Sequence, residues 1–272
     1  MLAAALLAGG AVSAPVQPPE LKIENAAVRL LVIPEARRDL AVTITGGQGA
    51  PVPKVTRNGA NVAIDGGVAA GSELFGFRFG GVSCREGEVN LPGKGWTAVK
   101  DLPLVTVHAP IDPRLSFSGA AFGEVGPSRS LALSSAGCGA LKAGAVSGDA
   151  AVHLVGSPSL AMASVGKGLQ ADLTGQSKLT ATEANGPLRL ASTGSARIDI
   201  ARGRAPSADL QLTGSGGISY GGEIGTLNTA VVGSGNIRVA MVFGMATSST
   251  RGSGAAYVGR PKDAKLCPPN CS

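Results

Sequence analysis

The sequence predicts an all-β fold, a β-solenoid with coils of about 19 residues, on three observations. Gly119, Gly137, Gly156, Gly175, Gly194, Gly214, Gly233 and Gly252 follow one another at intervals of 18, 19, 19, 19, 20, 19 and 19 residues. Mostly apolar residues recur in step with them, four and two positions before the glycine and four and six after, with Ser192 and Thr229 among the polar exceptions. The chain is 44% hydrophobic but only 3% aromatic, which suits a narrow interior filled by Ala, Val, Leu and Ile. A fixed period of this kind decides the architecture before any local motif is weighed.

The repeat itself names the interior. Val152, Leu154, Leu160 and Met162 surround Gly156, and Ala171, Leu173, Leu179 and Ala181 surround Gly175. Leu190, Ile198 and Ile200 follow around Gly194, Leu210, Leu212, Ile218 and Tyr220 around Gly214, and Val231, Ile237 and Val239 around Gly233. Alternation with period two on both sides of a turn marks half-buried strands, because successive strand side chains point to opposite faces. Glycine belongs at such a corner where φ is positive or another backbone comes close. Strands this short cannot bury a face alone, so each coil pairs with the next at about 4.8 Å, and the corners span roughly 34 Å. A leucine-rich horseshoe would add a helical side and an asparagine ladder, both missing here. A β-sandwich also has frequent turns, but it gives no reason for a corner glycine at constant spacing.

Along the chain, residues 1–14 read as a signal peptide: an apolar run, too short to span a bilayer, ends in Val12-Ser13-Ala14. No Lys or Arg precedes the run and Pro15 follows it; a start further upstream would supply the basic segment. Residues 20–262 read as a single β-solenoid domain, with first, irregular coils at 28–33, 40–44 and 61–64. Residues 66–101, rich in Gly and holding Cys84 and Trp96, read as an irregular insertion at one side. Strand alternation returns over 102–119, and residues 263–272 form a Cys-containing tail.

Cys84, Cys138, Cys267 and Cys271 are the disulfide candidates, and oxidised pairs suit an exported protein. Their connectivity is not written in the spacing. "CPPNC" closes a small loop or ties the tail to the body, and without a nearby His it is a weak zinc signal. Cys138, one residue past a corner glycine, also fits a buried free thiol.

In this setting the "VTVHAP" that precedes the repeats, the Gly-Ser corners and above all "GSGNI" at 233–237 resemble the putative auto-transporter adhesin, head GIN domain family over most of residues 22–262. The resemblance implies a right-handed parallel β-helix, an adhesin-like role, and no catalytic residues to carry over. Residues 82–100 and the "CPPNC" tail stand outside the shared pattern.

Solenoids of this shape also host polysaccharide-active enzymes, so carboxylate placement decides between classes. Glycoside hydrolysis needs two carboxyl groups roughly 5–10 Å apart. Counted from their corners, Glu124, Asp149, Asp172, Glu183, Asp199, Asp209 and Glu223 never share an offset in adjacent coils. His153 shares its offset only with Asp172, and His108 stands apart. No nucleophile elbow or phosphate loop is complete. The sequence therefore reads as non-catalytic, with no metal and no cofactor.

The expected function is a cell-envelope adhesin-like or glycan-binding module, periplasmic, outer-membrane-associated or extracellular. A purely structural envelope protein and a polysaccharide-active enzyme are the alternatives. With a formal charge of +6, the exterior suits an anionic envelope polysaccharide or lipopolysaccharide, and Lys178, Arg189, Arg197, Arg202 and Arg204 are the candidate binding residues. Export excludes nucleic acid as partner, and stacking platforms for bases are scarce.

Overall fold

The computed structural model describes residues 18–68 and 82–260, together with the short strands Glu73–Leu74 and Phe77–Arg78. The expected signal peptide at 1–14 and the tail with Cys267 and Cys271 lie outside the described residues.

From Arg114 onward each strand pairs in parallel with the strand one coil away, so the chain winds as a stack of coils. The corner glycines from Gly119 to Gly233 fall opposite one another in this register. All eight anchors have positive φ, between +87° and +126°. A Cβ on Gly214 would stand 2.4 Å from the carbonyl oxygen of Gly194 in the coil beneath. Glycine is thus required twice over, by φ and by the close approach of stacked backbones. The single 20-residue step is absorbed at a corner: Glu183 pairs with Arg202, but Leu188 already pairs with Ala208.

Parity about the corner places the side chains as the sequence predicts. Leu173, Leu190, Ile198, Ile200, Leu212 and Ile237 are no more than 2% exposed, whereas Arg189, Arg197 and Asp199 are exposed and Asp172 is partly so. Polar groups also occupy inward positions, among them Ser135, Ser192, Tyr220 and Thr229, and the last three have an acceptor. Ser192 donates to the Ala196 carbonyl at 2.9 Å, and Tyr220 donates to that of Ala184 at 3.1 Å. Thr229 points its hydroxyl at the Thr247 carbonyl, 3.5 Å away. Burial, with Glu183 and Glu223 adding to it, pushes the Tyr220 phenol up to about 12.

The first coils depart from pure parallel winding. Glu20–Glu35 runs parallel to Leu104–Pro110, Arg114–Val125 and Asn61–Asp65. Ala41–Thr45, however, runs antiparallel to Leu104–Pro110, and Lys54–Asn58 turns back on Asn61–Asp65 as a hairpin.

Within the region expected to be an irregular insertion, Ser83–Arg85, Glu88–Leu91 and Gly95–Ala98 form a three-stranded antiparallel sheet. Its Val89 and Leu91 pack with Ala27, Ala50, Val68, Leu102, Ala120 and Cys138 into a small core separate from the main one. Ala27, Ala120 and Cys138 stand opposite one another in the coil register, on an outward row that Ser157 continues exposed in the next coil. A disulfide between Cys84 and Cys138, 54 residues apart, fastens the sheet to the stack.

Candidate binding faces

Each coil presents outward side chains from the strand that leads into the corner glycine and from the strand that follows it. On the leading strand, Arg114, Ala132, Ala151, Gln170, Arg189, Asp209, Asn228 and Thr247 form one row. A shallow groove follows this row as three adjoining depressions of about 300, 450 and 500 Å³. Small alanines make its floor. Acids are prominent along it: Glu20, Asp112, Asp149, Asp172 and Asp209 line it beside Arg114, Arg189 and His153. Asp112 is held well below the usual carboxylate range by the Arg129 guanidinium and by the Ser130 hydroxyl, which donates at 2.8 Å. One carboxylate oxygen of Asp209 is buried without a donor among the described residues, while the other accepts from Gln211 at 3.4 Å.

The following strand has a different character. Ser159, Lys178, Arg197, Gly217 and Asn236 make one row, and Ala161, Thr180, Asp199, Ser219, Arg238 and Tyr257 make the next. Lys178 and Arg197 are direct register neighbours, and among the described residues neither has a carboxylate within ion-pair distance. Two like charges one strand spacing apart attract a counter-ion instead of each other. Further along, the Arg238 guanidinium lies 5.6 Å from the ring of Tyr257, which is 56% exposed.

Beyond this face the chain spends its cations on ladders. Arg202 donates to Glu183 at 2.9 Å and Arg204 to Glu223 at 2.8 Å, each pair bridging adjacent coils. Asn185 first and Arg202 second hold the Glu183 carboxyl below its ordinary range. The five candidate cations are therefore not one patch: Lys178 and Arg197 sit together, Arg189 lines the groove, and Arg202 and Arg204 are neutralised. Counting opposite charges at equal offsets would have exposed the first ladder, since Glu183 and Arg202 both lie eight residues past their glycines.

The two histidines fall in separate settings. His153 is opposite Asp172, as its offset implies. His108 has a partner that sequence reasoning missed: its Nδ1 lies 3.3 Å from Glu35, which also accepts from Arg37. Arg37 first, then His108, hold the Glu35 carboxyl below its usual range. From Arg114 onward no two carboxylates face each other in the described register, while in the first coils Glu24 stands opposite Asp65. Among the described residues no group of three or more His, Cys, Asp or Glu side chains is placed to hold a metal ion.

Stacked parallel coils with ordered outward rows define a β-solenoid. Residues 155–265 match the family described as putative auto-transporter adhesin, head GIN domain, which bears out the resemblance over that stretch of the chain. The fold is shared with the crystal structure of a putative adhesin from Parabacteroides merdae, with a TM-score of 0.58 at 12% identity, covering 90% of this chain and 93% of that one. Among curated proteins no match is found. No helix among the described residues is long and apolar enough to cross a membrane, which leaves crossing by strands unaddressed.

Proposed function

We propose that this protein is a non-catalytic, adhesin-like exported module that holds an anionic envelope polymer, an acidic polysaccharide or lipopolysaccharide, against the face after the corner glycine. The observation that carries this reading is the partition of charge between faces. Lys178 and Arg197 stand side by side with no carboxylate in ion-pair distance and Asp199 as the acid of their face, whereas Glu20, Asp112, Asp149, Asp172 and Asp209 outnumber Arg114 and Arg189 along the groove. Hydroxyl, amide and aromatic groups of Ser159, Ser219, Asn236 and Tyr257 continue the same face and supply hydrogen bonds and stacking. A rigid row at one strand spacing per coil suits an extended polymer that makes many weak contacts. The signal-peptide reading and the family match support export and an envelope location.

Binding to alginate and to lipopolysaccharide, measured on immobilised polymer, tests the proposal. Exposed charges lose reach as salt rises past about 0.15 M, where the Debye length is near 8 Å, so binding should fade there. Lys178→Ser with Arg197→Ser should weaken it severalfold. Removing the neutral pair Glu183 and Arg202 together, each to Gln, should leave it unchanged. Salt-insensitive binding, or depolymerisation of either polymer by pure protein, would move the enzyme or structural reading to the front.

A further inference from the structure

The side sheet has two faces, and among the described residues only one of them is used to hold it in place. Val89 and Leu91 are buried in the small core, and Cys84 is tied to Cys138. The alternate residues Ser83, Arg85, Glu88, Asn90, Trp96 and Ala98 make up the other face. The register sets Ser83, Asn90 and Trp96 in a line across the three strands. Trp96 is 44% exposed, and the Arg85 guanidinium lies 4.0 Å from its ring centroid. Arg85 is in turn paired with Glu88, so this part of the face carries no net charge.

We propose that this face is a second binding site, independent of the basic coil face, and that it takes an uncharged pyranose ring of a glycan. The chemistry matches on three counts. With the Arg85 guanidinium over one face of the ring, the part of the Trp96 indole left exposed offers an apolar surface with a polar edge, which suits the C–H face of a sugar ring. Beside it, the Asn90 amide both donates and accepts and the Ser83 hydroxyl does the same, as vicinal sugar hydroxyls require. The neutral Arg85–Glu88 pair complements an uncharged sugar rather than an acidic one, and one aromatic ringed by polar groups is too small an apolar surface for a protein partner. The disulfide and the dedicated core hold the strands rigidly, which reduces the ordering cost of binding.

The chain has a single tryptophan, so its fluorescence reports on this site alone. The intact protein is titrated with maltohexaose, cellohexaose, chitohexaose and mannohexaose. At least one should move the emission to shorter wavelength saturably and shield Trp96 from acrylamide. Calorimetry with that sugar should show affinity falling about tenfold or more in Trp96→Ala, less in Trp96→Phe, which keeps a ring, and severalfold in Asn90→Ala. Lys178→Ser with Arg197→Ser should leave it unchanged, so failure of the acidic-polymer reading would not touch this result. An emission unaltered by all four sugars up to about 10 mM, or an affinity indifferent to Trp96→Ala, overturns the proposal.

Discussion

For a residue in the coils, parity relative to the corner glycine decides what substitution costs. Ile198 is fully buried while Arg197, its immediate neighbour, is exposed. Ile198→Asp would bury a carboxylate with no partner and should cost roughly 4 kcal/mol or more, enough to unfold or aggregate the chain. Arg197→Asp should change stability by no more than about 0.5 kcal/mol, since it also relieves the repulsion with Lys178. Thermal melting of the two variants checks this, and equal losses would mean that the register is wrong. Parity was legible because glycine is compelled at each corner and marks the phase of every strand. The ion-pair partners were less legible. Arg204 lies ten residues past its glycine and Glu223 nine past the next, so their meeting depends on how the 20-residue step is absorbed, which spacing alone does not reveal.

Among the elements, the side sheet is the one that the repeat says nothing about. Its strands have three or four residues each and lie in a region of mixed charge, where alternation is too brief to read. Cys138 occupies an outward position of the coil and was equally compatible with a free thiol. Only the sheet brings Cys84 to it. Because the bond closes a long loop, Cys84→Ala with Cys138→Ala should lower stability by roughly 2–4 kcal/mol. The loss should be local: amide hydrogen exchange should quicken across residues 83–98, while the strands from Asp149 onward keep their protection. Unchanged exchange in the sheet would show that Val89 and Leu91 suffice to hold it, and the disulfide would then be incidental. The antiparallel direction of the early strands is hidden for a related reason, since alternation identifies a strand but carries no sign of its direction.

At the level of the whole molecule, the last described coil differs from those beneath it. Ala246, Ser248 and Thr250 lie opposite Leu227, Thr229 and Val231, and Ala256 and Val258 lie opposite Ile237 and Val239. The inward row thus shrinks and gains hydroxyls just where, among the described residues, no further strand pairs with Ala246–Arg251. A bare strand edge over an apolar interior would be a template for another chain, and repeat proteins blunt this with polar terminal repeats. Ser248 and Thr250 are exposed, which is what such a terminus requires. Ser248→Val with Thr250→Val restores an apolar row on that open edge, above Thr229 and Val231, without changing any residue of the coils below. The variant should therefore keep its melting behaviour but associate more strongly as concentration rises, seen as a larger weight-average sedimentation coefficient than that of the parent protein. If sedimentation stays the same at every concentration, the polar end is not what limits association, and the residues beyond Arg260 become the place to look for the cap.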